Sequence, residues 1–549
     1  MKKLITILLS STVFLNLAIG QNSPMVIAGD VKVAEAGKMY SKGPISVKAT
    51  DDQKGVIVNE GELTLNEGII FYSNDERDGL LKNTATVNYT PDTDVSKFQV
   101  RKSFNIPEKY YIVSFPFDVD LTQVQNADPT GDAPDLNENF WIFDYDSQKR
   151  ADEGKPEGNW RWLTFDTGDK ILKAGTGYQI TTQFGGPVEL LFQPTATTDI
   201  ASILEYSDKT RELIHYNNNG KFFENNAYSE GWNYIGGLNT SSFLLSSSTV
   251  SDATRKSPRA IYYLNENDIY EAIPVNMEGV TAVVSPYTPF FVQTDTSQVD
   301  TNGKHYVMDF HYLAPGLSSN DPDPIDFRSE NTTSEDVFSV SLNGESDYSD
   351  ITYIALGDKY KEGINTSEDA SKLFSSGVQQ LWSLVGTYPL VVNSLPFTET
   401  REIPLGVSTP SGGQYTFELD ELAHNSIESV TLIDKEAKTK TDMLTKAYSF
   451  NVSDAINTTD RFLLLINKTI TSMDEIPSIS EIYAYTEDNI LTVKNLVIGD
   501  NVQILDLAGR TIASNVAVNE ELSFPLNQKG VYLVNVKGER SVVLKVLNK

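Results

Sequence analysis

The sequence predicts an all-β protein built from tandem β-sandwich domains, and three observations lead to this fold class. Almost no segment of the 549 residues carries helical periodicity over more than three turns. Short alternations of apolar and polar residues dominate instead, separated by Gly, Asn, Asp and Pro turns, which is the pattern of sandwiches and barrels. The composition, with 25 Phe, 26 Tyr, 23 Pro and 35 Gly, fits strands broken by many turns.

The charge balance argues against nucleic acid as a partner. The chain holds 44 Lys and Arg against 75 Asp and Glu, a net charge of −31 at pH 7. Such a surface repels phosphate groups and anionic membranes. The chain also has no Cys, which excludes disulfides, thiol catalysis, thiolate zinc sites and lipid attachment at a cysteine. Burial of apolar side chains must therefore supply the stability.

Residues 1–20 are predicted to be a signal peptide. Lys2 and Lys3 precede an apolar run, and Ala18-Ile19-Gly20 offers the small residues that a signal peptidase requires. A membrane anchor or an ordinary buried helix is the alternative, but the apolar run is short and contains several polar residues. Cleavage would leave Gln21 as the mature N-terminus.

Residues 21–105 form a predicted N-terminal β-region of short strands such as "ISVKA" and "TATVNY". Asn-Glu-Gly turns recur at 59–61 and 66–68. These repeated turns fit a short β-solenoid and a stack of hairpins equally well.

Residues 106–315 are predicted to be two tandem related β modules. The first opens with "YYIVSFPFDVDL" and closes with "GTGYQITTQF", and the second opens with "GWNYIGGLNTSSF" and closes with "PFFVQTDT". Ile112 and Ile235 lie 123 residues apart, while Tyr178 and Phe290 lie 112 apart. The order of landmarks is kept, and differences in loop length absorb the change in spacing.

The next two segments differ sharply in composition. Residues 316–336 are rich in Pro, Asp and Ser and predict a solvated linker. Residues 337–468 again alternate and predict a β-sandwich module.

The last part of the chain predicts a compact domain of its own. In "GVYLVNVK", Tyr532, Val534 and Val536 fall on one face of a strand, and "VQILDLAGRTI" predicts a hairpin that turns at Ala508-Gly509. Residues 501–549 hold six basic and four acidic residues, a net charge of +2, which leaves −33 for the rest. A separately folding tail of opposite charge is a candidate recognition tag, and a plain final β-sandwich is the alternative.

This tail closely resembles the type A C-terminal sorting domain of the type IX, or Por, secretion system. Members carry a strand ending in Asp-x-x-Gly-Arg, a Gly-x-Tyr strand and lysines near the terminus. In this sequence the matching residues are Asp506, Gly509, Arg510, Gly530, Tyr532, Lys545 and Lys549. The resemblance covers about residues 479–549 and implies an immunoglobulin-like β-sandwich. It also implies export through the periplasm, with an outer-membrane secretion translocon and a sorting peptidase as partners.

Residues 337–466 also look like a module that often precedes this tail in proteins of the same export route. The segments that carry this likeness are "DITYIAL", "PLVVNSLPF", "GQYTFEL" and "DRFLLLI". No general enzymatic activity attaches to such modules, so the resemblance does not favour catalysis.

Two groups of residues are candidates for ligand binding. The aromatics Trp141, Tyr145, Trp160 and Trp162 could form a platform for a sugar ring or a partner surface, and packing within the fold is the alternative. The second group lies in "DPTGDAPDLNENFWIFDYD", where side-chain oxygens could bind calcium. Their spacing differs from that of the twelve-residue calcium loop, so a solvated acidic loop is the favoured alternative. Those residues are Asp128, Asp132, Asp135 and Asn137.

No catalytic motif is present. His305 and His311 would lie ~20 Å apart along one strand, too far to share a metal, and the other histidines are His215 and His424. No His-Glu-x-x-His, Gly-x-Ser-x-Gly or phosphate loop occurs. The sequence thus predicts no cofactor and an exported, non-catalytic structural, adhesive or binding protein whose surface ligand is a glycan or a protein. The alternative is a secreted hydrolase of glycans with carboxylates in residues 106–315.

Overall fold

The computed structural model describes residues 17–19, 25–468 and 482–548, with gaps, the longest at 218–228, 247–259, 295–305 and 313–324. The chain divides into two compact units, residues 1–469 and residues 470–549. Almost all regular structure is β, which confirms the predicted fold class. No helix within the described ranges is long and apolar enough to cross a bilayer.

The described residues of the N-terminal region form eleven short strands. They are β1 (Leu17–Ile19), β2 (Met25–Ile27), β3 (Asp30–Val33), β4 (Lys38–Ser41), β5 (Ile45–Val47), β6 (Val56–Asn59), β7 (Glu62–Leu65), β8 (Ile69–Ser73), β9 (Leu80–Asn83), β10 (Thr86–Tyr89) and β11 (Phe98–Ser103). A single 3-10 turn, Val95–Lys97, precedes β11 among the described residues. The predicted signal peptide lies outside the described residues except for β1.

These strands pair in parallel, three strands apart in sequence. The ladders are β1-β4-β7-β10, β2-β5-β8-β11 and β3-β6-β9. Like side chains stack between turns of the chain, as where Ile45 pairs with Ile69 and Ile69 with Phe98, all fully buried. Of the two architectures that the sequence leaves open, this pairing is that of a three-sided solenoid.

The first module continues one side of the solenoid, because β19 pairs antiparallel with β11. Its strands are β12 (Tyr111–Val113), β13 (Val119–Asp120), β14 (Gln125–Asn126), β15 (Phe140–Tyr145), β16 (Trp160–Trp162), β17 (Ile171–Leu172), β18 (Tyr178–Thr182) and β19 (Glu189–Phe192). Its helices are α1 (Ser147–Glu153), α2 (Ile200–Leu204) and a 3-10 turn at Leu121–Gln123. Helix α1 begins after Asp146, whose side chain accepts from the backbone N–H of Lys149, and ends at Gly154 in the left-handed conformation.

The second module has the same central sheet as the first. Its strands are β20 (Lys209–Leu213), β21 (Trp232–Ile235), β22 (Phe243–Ser246), β23 (Ile261–Leu264), β24 (Tyr270–Ile273), β25 (Val280–Val284), β26 (Phe290–Gln293), β27 (Tyr306–Tyr312) and β28 (Ile325–Ser329). The order β12-β18-β15-β16 in the first module corresponds to β21-β26-β23-β24 in the second. Ile112 and Ile235 thus lie in corresponding strands, as do Tyr178 and Phe290.

Part of the predicted linker 316–336 is a strand. Residues Ile325–Ser329 form β28, which pairs antiparallel with β25. The physical reason is the alternation of apolar Ile325 and Phe327 with polar neighbours, which the surrounding Pro, Asp and Ser residues obscure in the sequence.

The module that follows is one large sheet folded over on itself. Its strands are β29 (Asp336–Asn343), β30 (Ser349–Leu356), β31 (Ala370–Ser371), β32 (Gln380–Val385), β33 (Tyr388–Leu395), β34 (Thr400–Ser408), β35 (Gly413–Ala423), β36 (Ile427–Asp434), β37 (Thr439–Asp442), β38 (Tyr448–Val452) and β39 (Asn457–Lys468). In the sheet order, β35 and β38 lie at one end and β36, β37 and β39 towards the other. Phe417 and Phe450 nevertheless contact Phe462 of β39 at centroid distances of 5.0 and 4.8 Å, so the two ends form facing layers.

The C-terminal unit is a two-sheet antiparallel sandwich with its own core. Its strands are β40 (Tyr483–Glu487), β41 (Ile490–Lys494), β42 (Asn501–Leu505), β43 (Thr511–Val516), β44 (Glu521–Pro525), β45 (Gly530–Lys537) and β46 (Val542–Asn548). The sheet orders are β40-β41-β44 and β43-β42-β45-β46. Tyr532, Val534 and Val536 are buried on the inner face, as the strand alternation predicts.

Candidate functional site

The Asp-x-x-Gly-Arg residues form the turn of the β42–β43 hairpin. The carboxylate of Asp506 accepts hydrogen bonds from the backbone N–H groups of Ala508 and Arg510, each 2.9 Å long, and from Nε of Arg510 at 2.7 Å. Gly509 has a φ of +78°, which glycine adopts without strain. The backbone N–H of Arg510, followed by its guanidinium, lowers the pKa of Asp506. The motif is therefore a self-contained turn that leaves Arg510 exposed.

The Gly-x-Tyr residues start β45, one of the two inner strands of the larger sheet. Gly530 begins β45, and Tyr532 follows with 7% of its surface exposed. The Tyr532 hydroxyl donates to the carbonyl of Gln528 at 2.8 Å. Tyr532 thus ties the core of the domain to the loop before the strand.

The outer face of this sheet is apolar and basic. Val543 and Leu547 of β46 are 63% and 52% exposed, and the exposed Lys545 lies between them. Across the sheet, Lys545 pairs with the half-buried Leu533. Exposed apolar side chains grouped on one face are typical of an interaction site. The last motif residue, Lys549, lies outside the described residues.

The predicted aromatic platform lies on one face of the first module, but part of that face is covered. Tyr145 pairs with Trp160 across β15 and β16. Both rings pack against the second module: Tyr145 contacts Phe291 at 4.7 Å and Trp160 contacts Tyr234 at 5.4 Å between centroids. These two aromatics belong to the junction between the modules.

The other end of the platform faces outward. Trp162 is 49% exposed, and its indole N–H donates to the side-chain oxygen of Asn137. Trp141 is half-buried on the same face, and Phe143 between them contacts the exposed Tyr110 at 5.6 Å.

The predicted metal-binding candidates that the structure describes do not come together in a metal site. Among the described residues no group of three or more His, Asp or Glu side chains is placed to hold a metal. Of the calcium candidates, Asn137 already accepts from Trp162, and Asp132 lies outside the described residues. The side chain of His215 is nearly buried beside Thr294 and Glu230. His305 and His424 lie outside the described residues, and the position of the His311 side chain is not described either.

A cleft that the sequence does not predict lies between the second module and the sheet that follows it. Its volume is about 750 Å³, and its walls come from the β23–β24 hairpin, β30, β33 and the segment after β31. The residues that line it are separated by up to 129 positions, from Tyr262 to Val391, so no local sequence signal marks it.

The comparisons with known proteins assign no activity. A family model described as "Domain of unknown function (DUF8693)" matches residues 326–466, which is the region from β28 to β39. No curated protein matches the chain.

Two solved structures show distant likeness. One is PorZ, described as an essential bacterial surface component of the type-IX secretion system of Porphyromonas gingivalis. It shares 13% identity over 63% of this chain, which spans only 38% of that structure, with a TM-score of 0.12. The other is the BSP domain of a biofilm-associated protein, with 8% identity over 80% of this chain and 90% of that one, and a TM-score of 0.11. TM-scores this low do not establish a shared arrangement of domains.

Proposed function

We propose that the protein is exported to the outer cell surface, where it is displayed or released, and that its C-terminal domain is the sorting signal. The observation that carries this proposal is the separate C-terminal unit, with its own core and an exposed apolar and basic sheet face. The Asp506 turn and the buried Tyr532 give structural roles to two residues of the resemblance. The translocon and the sorting peptidase are the proposed partners of this domain.

We also propose that the exported body is a non-catalytic structural, adhesive or binding protein. Glycoside hydrolysis commonly requires two carboxylates that face the substrate. Two carboxylates, Asp350 and Glu271, line the cleft. Asp350 is occupied by Lys372 at 2.5 and 2.6 Å and by the backbone N–H of Leu381 at 2.6 Å. This occupation leaves one available carboxylate in the cleft, which supports binding rather than hydrolysis there.

Deletion of residues 479–549 tests the sorting role. We expect the truncated chain to fold and to remain in the periplasm, as measured by cell fractionation and protease accessibility. A truncated chain found outside the cell would contradict the proposal.

Substitutions on the exposed face separate recognition from folding. The double variant Val543→Ser and Leu547→Ser should keep the domain folded, because both side chains are largely exposed, but should reduce export. The matched control is Val518→Ser, since Val518 is 75% exposed in the loop between β43 and β44. Equal export of the double variant and the wild type would show that this face is not the one recognised.

A hydrolase screen tests the non-catalytic role. The purified full chain should release no products from a panel of polysaccharides. Glycan hydrolysis that disappears in Glu271→Gln would overturn the proposal and favour the hydrolase alternative.

A further inference from the structure

The cleft combines tyrosine rings with a small number of charged groups. Its rim and walls include Tyr262 and Tyr270 from the second module, Tyr353 from β30 and Tyr348 immediately before β30. The cleft volume of about 750 Å³ lies within the range of small-molecule sites, which is ~300–1,000 Å³. Because the cleft is concave and aromatic on both sides, a ligand can contact both modules at once.

The floor of the cleft is electrically neutral. Nζ of Lys372 lies 2.6 and 2.5 Å from the two oxygens of Asp350, and both side chains are almost fully buried. The hydroxyl of Tyr348 also donates to Asp350 at 3.0 Å. Lys372 is the one basic residue among those that line this cleft. With its charge balanced by Asp350, the floor attracts neither sign of ligand strongly.

The wall of the cleft carries a carboxylate that is held by neutral donors. Glu271 accepts one hydrogen bond from the hydroxyl of Tyr263 and one from Nδ2 of Asn265. Each carboxylate oxygen can accept two hydrogen bonds, so each oxygen of Glu271 keeps capacity for another donor. Glu271 is half-buried and lines the cleft, so that capacity is available to a ligand.

The charge of Glu271 reaches the tyrosines around it. Burial raises the pKa of Tyr348, and the carboxylates of Asp350 and then Glu271 raise it further. Burial also raises the pKa of Tyr263, and the negative charge of Glu271 is the next largest cause of that rise. These tyrosines therefore stay neutral, and the cleft keeps a net charge of one negative unit.

We propose that this cleft binds an organic cation, an ammonium or guanidinium group carried by a larger ligand such as a basic peptide. Tyrosine rings attract cations through their π faces, and a half-buried carboxylate adds a charge-assisted hydrogen bond. An anion would be repelled by the carboxylates of Asp350 and Glu271, and the ammonium of Lys372 is already paired with Asp350. A neutral sugar would gain stacking but would leave the charge of Glu271 unbalanced. The inference names a ligand class for the binding role proposed above and rests on that role.

Calorimetric titration of the purified full chain tests the inference. The probes are N-acetyl-arginine amide and N-acetyl-lysine amide, with N-acetyl-glutamine amide and a neutral disaccharide as controls. We expect the two cations to bind, with affinity that falls as salt is added, and the neutral probes to bind about tenfold more weakly or not at all. A short peptide with one arginine distinguishes a peptide ligand from a free amine by binding more tightly than the single amino-acid probe.

Glu271→Gln should weaken cation binding about tenfold or more, because it removes the charge from the hydrogen bond. The replacement can still fold, since its carbonyl can accept from Asn265 and its amide can donate to the Tyr263 oxygen. The matched control is Glu212→Gln, which removes the same charge from an exposed position on β20 of the same module. Thermal melting checks that both variants are folded.

Three results would overturn the inference: no binding of either cation, equal affinity for the neutral disaccharide, or unchanged cation binding in folded Glu271→Gln. None of them bears on export, which is measured in cells on the C-terminal domain. Failure of the cation site and failure of the sorting proposal are therefore distinguishable.

Discussion

Replacement of Tyr532 by Ala should strongly destabilise the C-terminal domain while leaving the first unit intact. Tyr532 is 7% exposed and lies in the core beside Val534 and Val546, its cross-strand partner. Its hydroxyl donates to the carbonyl of Gln528. The substitution removes the ring from the core and the hydrogen bond from the loop.

The magnitude follows from the size of the domain. Truncating a buried aromatic to Ala costs ~3–5 kcal/mol, and a lost hydrogen bond costs ~1 kcal/mol. A domain of about 70 residues has a total stability of roughly 4–10 kcal/mol, at ~0.05–0.15 kcal/mol per residue. Tyr532→Ala therefore removes a large part of the stability of the domain. Tyr532→Phe keeps the ring and should lose only about 1 kcal/mol.

Urea denaturation of the isolated domain, residues 470–549, provides the measurement, with the full chain followed in parallel. Lys537→Ala is the control, because Lys537 is exposed at the end of the same strand. A Tyr532→Ala domain whose free energy of unfolding lies within about 1 kcal/mol of the wild type would show that this face is not the core. Export should fail with Tyr532→Ala and persist with Lys537→Ala.

Two further substitutions probe the first unit. Burial alone would raise the pKa of the Asp434 carboxyl, but hydrogen bonds, led by those from Arg461, outweigh burial and lower this pKa. The ionised Asp434 therefore stabilises the fold fully above about pH 4, the usual pKa of Asp. This stabilisation is lost as the pH falls through the lower pKa of the folded state. Asp434→Asn should lower the free energy of unfolding by about 3 kcal/mol at pH 7, as measured by denaturant titration. This loss relative to the wild type should become smaller below about pH 4. A loss that stays the same at all pH values would show that the charge of Asp434 does not stabilise the fold. Gly236→Ala should cost ~1–3 kcal/mol because its Cβ would lie 2.0 Å from Oγ of Ser114 across the module junction. Gly357→Ala, whose Cβ meets only ordinary contacts, is the matched control in the same melting experiment, and equal losses would show that the junction is not tightly packed.

The C-terminal domain follows well from sequence reasoning, because its strands, of five to eight residues, are long enough for a period of two to show. The burial alternation of β45 and the hairpin at Asp506 both follow from local pattern. In the N-terminal region the strands have three to six residues, and short alternations look alike in parallel and antiparallel pairs. The ladder in which Ile45, Ile69 and Phe98 stack is formed by residues about 24 to 29 positions apart, beyond any local signal.

The cleft could not be predicted from the sequence for a different reason. Lys372 and Asp350 form a buried ion pair across 22 positions, and Glu271 reaches the same cavity from the preceding module. Each of these residues, taken alone, reads as one solvated charge in a strongly acidic chain. The fold of the 337–468 module joins Lys372 and Asp350 into a neutral floor, and its packing against the second module adds Glu271 as the available carboxylate.

Packing of the first module against the second explains why half of the aromatic platform is not a ligand site. A strand pair that exposes Tyr145 and Trp160 on one face would leave a large apolar surface in water if the module stood alone. Stacking of Phe291 against Tyr234 at 4.1 Å gives the second module a matching aromatic face, and the two faces cover each other. Backbone hydrogen bonds from Gly177 to Tyr234 and from Gly236 to Gly175 fix the junction. The two related modules thus cover each other's aromatic faces, and their cores extend into neighbouring regions, whereas the C-terminal domain has a core of its own, which makes it the separable part of the chain.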